Sequence, residues 1–370
     1  MIHTEVNELK KNLTITNCCI HKVAGCYVDT DKQLHPVNHD IFLSLQEEDQ
    51  HKYFDLIKKG LSGTIGRNLL NMEFESTQIR DDLLALKKTE LKDEQVLQSF
   101  YARICDSYDY LDNYYILMFY SVYDVVGKTE NGEFMEDTSD TVYDFVLTLI
   151  CPLKPSKAGL MYNPVDNSIG NAIRNMMVEP PMHSFLYPAF TDRATDIHHL
   201  LYYSKKANEL NVRFVEECLG CKLVATAQEQ SEIFVAAMEA IEETSFDKIK
   251  SVYTNIQEYQ EEHKDDPEEQ IIDRQTSRRL LENSGFTQDE IEVFQDNFIP
   301  DPKETETKQE IMPSNILAGK KMKIKTGTAE IVVPNAQSDY VDIRKIDGKN
   351  CIVIEINDEV TVNGIRVNKF

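Results

Sequence analysis

The sequence lacks an uninterrupted apolar run of the length that a membrane helix needs, which is about 20 residues. Its longest apolar runs, such as IFVAAM and IVVP, are far shorter. The first residues, MIHTEVNELKKNLTITNCC, also contain no apolar stretch of the kind that marks a secretory signal. We therefore expect a cytoplasmic protein without a membrane partner, whose eight cysteines remain thiols in a reducing compartment.

The sequence is also poor in positive charge, with 39 Lys and Arg against 63 Asp and Glu and a net charge of −24. This balance argues against broad adhesion to nucleic acid or to anionic membranes. The charge is unevenly distributed, because residues 313–370 carry nine basic and seven acidic residues, a net of +2. Residues 1–312 carry 30 basic and 56 acidic residues, so the acidity belongs to that part of the chain.

A regular alternation of strands and helices is missing as well, which favours an α+β fold over a βαβ fold. The runs NYYILMFYSVYDVVGK and DTVYDFVLTLICPLK are aromatic and β-branched and predict long strands. HSFLYPAF and HHLLYYSK predict a further strand pair. We divide the chain into a mixed body (1–245), an acidic helical segment with a linker (246–312) and a small C-terminal antiparallel β module (313–370).

Local signals mark several turns and helix ends. Asn131-Gly132, Asp347-Gly348 and Asn363-Gly364 are typical of two-residue hairpin turns. Ser44 with Glu47, and Thr287 with Glu290, have the spacing of a capping box at a helix N-terminus.

The most site-like part of the sequence lies within FLYPAFTDRATDIHHLLYY, between two aromatic runs. It holds carboxylate, guanidinium and imidazole groups within eight residues: Asp192, Arg193, Asp196, His198 and His199. Asp196 could orient His198 as a general base, which would fit a hydrolase or a phosphate-handling enzyme. The alternative is a polar turn in which Arg193 ties down the carboxylates. No nucleophile motif such as GxSxG accompanies the cluster, so the sequence does not establish an enzyme.

Cys218 and Cys221 form a single CxxC, a weak signal for a zinc site or a redox pair. Structural thiols are the alternative, and we favour it because buried free cysteine behaves as a small apolar residue and Gly220 indicates a helix end. We expect no metal and no cofactor. The stretch 258–310 contains 17 acidic and six basic residues, and we interpret it as a solvated helical face. The alternative is a nucleic-acid mimic that binds a DNA-processing protein as a decoy.

Several segments together resemble one uncharacterised bacterial family, known only as a domain of unknown function and associated with anaerobic Gram-positive bacteria. They are AGCYVD, LSGTIGRNLLNMEF, YDVVGKTENGEFMEDTSDTVYDF, ICPLKPSKAGLMYN and FLYPAFTDRATDIHHLLYY. This resemblance spans most of the chain and implies no activity.

A second, fainter resemblance concerns RFVEECLGC (213–221) and the tail segments MKIKTGTAEIVVP and YVDIRKIDGKNCIVIEI. They are similar to a helix ending in F-L-G and to the closing β module of bacterial nucleoid-associated proteins. That resemblance implies a non-enzymatic, nucleoid-linked protein. Phosphate contacts would then fall to basic residues of the tail: Lys320, Lys321, Lys323, Lys325, Arg344 and Lys345.

The leading functional hypothesis is a non-enzymatic interaction protein, nucleoid-associated in its more specific form, which assembles with a protein partner or with itself. An enzyme built on Asp192, Arg193, Asp196 and His198, and the acidic decoy, are the alternatives.

Overall fold

In a computed structural model of the chain, an antiparallel sheet and its covering helices are followed by a helical unit and small β hairpins. The α+β class is therefore confirmed. The structure describes residues 1–128, 134–156, 159–165, 167–171, 175–263, 266, 270–298, 311–317, 321–357, 359–362 and 365–367. The chain divides into two compact units, Met1–Thr226 and Ala227–Phe370, rather than the three parts expected from the sequence.

The first unit is built on an eight-stranded antiparallel sheet. Its strands are β1 Ile20–Val28, β2 Leu34–Ile41, β3 Leu69–Glu73, β4 Tyr114–Lys128, β5 Phe134–Pro155, β8 Met176–Val178, β9 His183–Tyr187 and β12 His199–Ser204. They lie in the order β2-β1-β4-β5-β9-β12-β3, and β8 pairs with the end of β5. Two separate hairpins complete the strands: β6 Leu160–Asn163 with β7 Ser168–Asn171, and β10 Ala189–Thr191 with β11 Ala194–Asp196.

Helices cover both faces of the sheet. They are α1 His3–Lys11, α2 Glu47–Gly60, α3 Thr77–Lys88 and α4 Glu94–Ser107, with a π-helical segment at Phe214–Leu219. On one face, Ile116 and Met118 of β4 belong to a core with α3 and α4, and on the other Leu117 and Phe119 belong to a core with α1 and α2. Burial on both faces explains why residues 114–123 of β4 and 143–153 of β5 form nearly continuous apolar runs.

The second unit contains α5 Ala227–Glu239, α6 Phe246–Glu262, α7 Arg274–Asn283, α8 Gln288–Phe298 and α9 Pro313–Ile316. Phe234, Phe294 and Phe298 pack edge to face or tilted in its core. Gln230 Oε1 accepts hydrogen bonds from the Met312 backbone N–H (3.0 Å) and from Asn315 Nδ2 (2.9 Å), which fixes α9 to α5. Three hairpins follow, formed by β13 Lys321–Lys325 with β14 Glu330–Pro334, β15 Val341–Ile346 with β16 Lys349–Ile354, and β17 Thr361–Val362 with β18 Ile365–Arg366.

The local signals have different outcomes. Thr287 and Glu290 form the predicted capping box, with the Thr287 N–H donating to Glu290 Oε2 at 2.7 Å. Asp347 and Gly348 both have positive φ and join β15 to β16, as predicted. The box at Ser44 and Glu47 is wrong: α2 begins at Glu47 itself, and the Ser44 hydroxyl donates to the Ile41 carbonyl (2.6 Å). Asn131-Gly132 and Asn363-Gly364 lie outside the described residues.

Two further observations bear on the sequence analysis. Within the described part of the chain, no helix combines the length and apolar character needed to cross a membrane. All eight cysteines carry free thiols.

The imidazole of His183, in the first unit, is only partly exposed and packs among aromatic side chains. His183 Nδ1 lies 2.7 Å from the Tyr108 hydroxyl, and the ring stacks on Tyr202. Burial lowers the pKa of His183 to about 4, although the Glu209 carboxylate acts in the opposite direction. The folded protein therefore holds this imidazole neutral over a range in which the unfolded chain, with a pKa near 6.5, binds a proton.

We predict that the free energy of unfolding decreases as the pH falls from about 6.5 to about 4, and that His183 accounts for about 2–3 kcal/mol of the decrease. His183→Gln should flatten the curve in that window, because glutamine does not titrate. Urea denaturation at a series of pH values, followed by circular dichroism, measures both proteins. Parallel curves for the two would contradict the assignment.

Candidate functional site

The polar cluster of residues 192–199 begins in a hairpin turn. Asp192 and Arg193 are the two residues that join β10 to β11, and Thr191 pairs directly with Ala194. Both turn residues have positive φ, 51° and 58°. A two-residue turn of this kind matches the twist of the strands it joins, but it holds a non-glycine residue in a backbone region of higher energy.

Arg193 is held by a carboxylate that is distant in sequence. Its Nη2 donates to Glu8 Oε1 at 2.8 Å, and its Nε lies 3.1 Å from Glu8 Oε2, so the ion pair is bidentate. The same Nη2 donates to the Val126 carbonyl at 2.7 Å. The side chains are only 20% and 12% exposed, and the hydrogen bond with Glu8 raises the pKa of Arg193. Arg193 thus joins the turn to α1 and to β4.

Two more groups complete this ion-pair network. The Tyr123 hydroxyl donates to Glu8 Oε1 at 2.8 Å, and burial together with this bond raises the pKa of Tyr123 to about 12. Glu5, also on α1, accepts from the Arg193 backbone N–H at 3.3 Å and from the Ile2 N–H at 2.8 Å. The network therefore fixes the backbone of the turn as well as its side chain.

Asp196, at the end of β11, supports the second half of the cluster. Its Oδ1 accepts from the His198 backbone N–H (2.9 Å), and its Oδ2 lies 2.7 Å from His199 Nδ1. Burial raises the pKa of this carboxyl, but the bonds from His198 and His199 outweigh it and the pKa lies below its usual value. Asp196 therefore orients the imidazole of His199, whereas the sequence hypothesis gave that role to His198.

The structure brings only some of the predicted site residues together. Asp196 and His199 are in contact, Arg193 is occupied by Glu8, and the side chains of Asp192 and His198 lie at the exposed surface. An Asp–His pair of this kind can orient an imidazole for proton transfer. Equally, it ties the end of the hairpin to the start of β12. Among the described contacts of His199, no serine, cysteine or threonine side chain stands as a nucleophile.

Sequence reasoning missed Glu5, Glu8 and Tyr123. The only local signal was that Glu5 and Glu8, three residues apart on one helix, alternate with the apolar Val6 and Leu9, both of which are buried. Such spacing places the carboxylates beside a buried stripe, where a cation is required to compensate them.

The CxxC lies in the core of the first unit. Cys218 and Cys221 are both buried, and between them Gly220 caps the π-helical segment in the left-handed conformation, as predicted. Burial raises the pKa of the Cys218 thiol to about 12 and also raises that of Cys221. Within the described ranges, no group of three or more His, Cys, Asp or Glu side chains is placed to hold a metal ion.

The charged candidates lie in the second unit. Lys321, Lys323 and Lys325 alternate along β13 and are exposed, and Lys345 is exposed on β15. Arg344 is paired with Asp342 at 2.5 Å, and Lys320 lies outside the described residues. Within the acidic stretch, Glu290 is paired with Lys248 and Asp273 caps α7, while residues 299–310 lie outside the described residues.

The family model of a domain of unknown function, DUF4317, matches residues 1–365. The chain belongs to this family. The first resemblance noted in the sequence is thereby confirmed, and the family description assigns no activity to the polar hairpin. No curated protein and no solved structure matches the chain, and the comparisons give no support to the resemblance to nucleoid-associated proteins.

We predict that Arg193→Ala lowers the free energy of unfolding by about 3 kcal/mol, because it removes the bidentate guanidinium from a Glu8 carboxylate that is only 12% exposed. Arg193→Lys should cost about 1–2 kcal/mol, since lysine keeps the charge but cannot form the bidentate pair. A double-mutant cycle with Glu8→Gln, measured by chemical denaturation, should give a coupling energy above about 1 kcal/mol.

The matched control is Arg213→Ala. Arg213 forms ion pairs with Asp109 and Glu217, but all three side chains are exposed. This change should lower the free energy of unfolding far less than Arg193→Ala does, because solvent screens exposed ion pairs. If Arg193→Ala costs no more than Arg213→Ala, the proposed anchoring role of Arg193 is incorrect.

Proposed function

We propose that this protein is a non-enzymatic interaction protein of the cytoplasm, and that it acts by presenting apolar β elements to a protein partner. Two features of the polar hairpin support the non-enzymatic assignment. Arg193 forms an ion pair with Glu8, and the Asp196 carboxylate is bonded to the His198 backbone N–H and to His199, at the start of β12. The free thiols of all eight cysteines are compatible with a reducing compartment.

The observation that carries the interaction role is a concentration of exposed apolar side chains in residues 160–178, the apolar segment. This segment comprises hairpin β6–β7 and strand β8. Tyr162 and Ile169 lie directly opposite each other on the hairpin, with Leu160 two residues away on the same face. The exposed large apolar residues of the segment are Leu160, Tyr162, Val165, Ile169, Met176, Met177 and Val178.

Leu160, Tyr162 and Ile169 form a set on one face of the hairpin, and such sets of exposed apolar residues mark interaction sites, whereas single ones are normal on soluble proteins. Strand β8 adds a backbone contribution. It pairs with β5, and Met177 lies opposite Lys154. In the described sheet order β8 has no second neighbour, so its outer edge can accept a strand from a partner.

We predict that a photo-crosslinking benzoylphenylalanine at position 162, in cells that produce the protein natively, gives a discrete adduct upon irradiation. The substitution keeps an aromatic ring at a position that is already exposed. Adding Ile169→Lys should abolish the adduct, because it places a charge on the same face of the hairpin.

Position 111 is the matched control, since Leu111 is exposed and apolar but lies outside the apolar segment. An adduct of equal yield from position 111, or no adduct from position 162, would refute the proposal for this surface.

Direct DNA binding is a second candidate, and one observation favours it. Lys321, Lys323 and Lys325 project from the exposed face of β13 at intervals of about 6.7 Å, the two-residue repeat of a strand. Among the described residues, none of the three is joined to a carboxylate. The near-neutral charge of 313–370 makes this the part of the chain least repelled by phosphate.

If direct DNA binding is correct, the full chain should retard the migration of duplex DNA at about 50 mM salt. A plot of the logarithm of the affinity against the logarithm of the salt concentration should have a slope of about −3. Replacing Lys321, Lys323 and Lys325 together by glutamine should abolish retardation. Replacing the exposed Lys52, Lys58 and Lys59 of α2 removes the same charge and should leave it intact. Absence of retardation by the full chain would exclude direct DNA binding.

A further inference from the structure

The end of α2 and the loop that follows it are an exception to the acidity of the first unit. Residues 56–72 contain three basic residues, Lys58, Lys59 and Arg67, and no Asp or Glu. All three side chains are exposed. Because residues 1–312 carry a net charge of −26, a group of cations without acidic neighbours in the sequence differs sharply from the rest of that surface. This stretch, residues 58–68, is the cationic loop.

The backbone of the cationic loop is closed by its own hydrogen bonds. Three successive N–H groups, those of residues 67–69, donate to the Thr64 carbonyl at 3.0–3.1 Å. At Gly63 the φ angle is +103°, and a Cβ atom there would lie 2.5 Å from the Cβ of Asn68. Position 63 therefore requires glycine, which alone combines a positive φ with so close an approach to a neighbouring side chain. The loop follows one defined backbone path.

A second segment adds a fourth cation. The Asn68 side-chain amide donates to the Ser204 carbonyl at 3.0 Å and to the Lys205 carbonyl at 3.4 Å. The Ser204 N–H donates in turn to the Asn68 carbonyl at 2.9 Å. These bonds hold the end of β12 against the cationic loop, so the exposed Lys205 lies beside it. The next residue, Lys206, is paired with Glu209.

The four cations are not neutralised within the protein. In the described part of the chain, none of Lys58, Lys59, Arg67 and Lys205 forms an ion pair with a carboxylate. Lys52, by contrast, lies on the same helix as Lys58 and is paired with Glu48 and Asp49. The positive charge of the cationic loop is therefore open to an anion from solution.

The loop also offers backbone donors. Among the described residues, the N–H groups of Gly63, Thr64 and Ile65 donate to no protein acceptor. Gly63 and Thr64 are exposed. Successive unpaired N–H groups in a turn are one of the ways in which proteins bind phosphate. Cations and backbone donors thus occur together on one loop.

A small molecule that carries a phosphate group fits this site better than a nucleic acid does. Lys and Arg side chains together with backbone N–H groups are typical phosphate ligands, since they supply both charge and directed hydrogen bonds. Outside the loop, however, the first 312 residues are strongly acidic. A polyanion such as DNA would extend onto that acidic surface and be repelled, whereas a single phosphate group would not.

We propose that the cationic loop binds the phosphate group of a small molecule. Lys58, Lys59, Arg67 and Lys205 supply the charge, and the N–H groups of residues 63–65 supply hydrogen bonds. This site is separate from the apolar segment and from β13, so it adds a ligand to the proposed interaction protein. Phosphate binding by a protein that gives no crosslink through position 162 would overturn the interaction role alone.

Calorimetric titration of the full chain with inorganic phosphate and with AMP, at a fixed ionic strength, tests the proposal. Binding should saturate at one site per chain. Arg67→Gln and Lys59→Gln should each raise the dissociation constant at least about fivefold, because each removes a cation from the site. Equal affinities would show that the phosphate group alone is recognised, and tighter binding of AMP would identify the ligand as a phosphate ester. Both outcomes support the proposal.

The matched control is Lys52→Gln, on the same helix. Its ammonium group is already paired with two carboxylates, so the dissociation constant should stay within about twofold of the wild-type value. Arg67 and Lys59 are exposed, so their replacement should leave the fold intact, and circular dichroism checks this.

The backbone donors have a test of their own. Labelling with carbonyl-¹³C serine and ¹⁵N-glycine selects the amides of Gly63 and Gly285, because both glycines follow a serine and no other glycine in the sequence does. Both have positive φ, but the Gly285 N–H already donates to the Glu282 carbonyl at 3.1 Å. Phosphate should shift the resonance of Gly63 and leave that of Gly285 in place.

Three results would overturn the proposal. One is the absence of saturable binding of both phosphate and AMP up to about 10 mM. Another is binding that Arg67→Gln and Lys59→Gln leave unchanged, or that shifts Gly63 and Gly285 equally. The third is a shift of Gly63 by duplex DNA but not by phosphate or AMP, which would assign the loop to nucleic acid.

Discussion

The largely buried ion pair between Arg193 and Glu8, with side chains 20% and 12% exposed, is the interaction that holds the polar hairpin in place. It connects the first helix, the long strand β4 and the β10–β11 turn, three segments that are far apart in sequence. Its burial decides its role. A guanidinium that is bidentate to one carboxylate and also bonded to a carbonyl cannot turn to a substrate without breaking its ion pair with Glu8, whose side chain is only 12% exposed. The role of Arg193, one of the residues with the most catalytic appearance in the sequence, is thus explained by the packing of α1 against the hairpin.

The parts of the fold that follow local rules could be predicted from the sequence. The runs 113–128 and 140–154 correctly indicated strands β4 and β5, although β5 begins at Phe134, before the second run. Both runs are apolar because they lie where both faces of the sheet are covered. Asp347-Gly348 and the Thr287–Glu290 box were correct because turns and caps depend on neighbouring residues. The Ser44–Glu47 box failed because the Ser44 hydroxyl bonds back to Ile41, before the helix begins.

The contacts of the candidate site could not be predicted in the same way. Glu8 is 185 residues from Arg193, and no local spacing connects them. The turn at Asp192 and Arg193 lacks the Asn-Gly pattern by which such turns are recognised, since distant contacts rather than glycine hold its positive φ. Asp196 has two histidines within three residues, and only the three-dimensional path of the backbone selects the imidazole of His199.

The distribution of apolar surface and charge gives a physical reason for the proposed association with partners. The sheet and the helical unit each bury their own core, whereas the apolar segment and the C-terminal hairpins leave apolar side chains in water. Exposed apolar area favours association, and the strong negative charge of residues 1–312 limits where a second acidic molecule can approach. These two constraints together direct partners to a few β surfaces.

The size of the native complex in a lysate tests the central claim most directly, namely that the protein acts through its surfaces and not through the polar hairpin. Size-exclusion chromatography with immunodetection would compare three forms: the wild type, Asp196→Asn with His199→Gln, and Tyr162→Lys with Ile343→Asp. The account predicts that the wild type and the first variant elute together, well above the 42.6 kDa of one chain, and that the second variant elutes at a smaller size. The account would be contradicted if the wild type eluted as a monomer. It would also be contradicted if only the variant with Asp196→Asn and His199→Gln changed its elution volume.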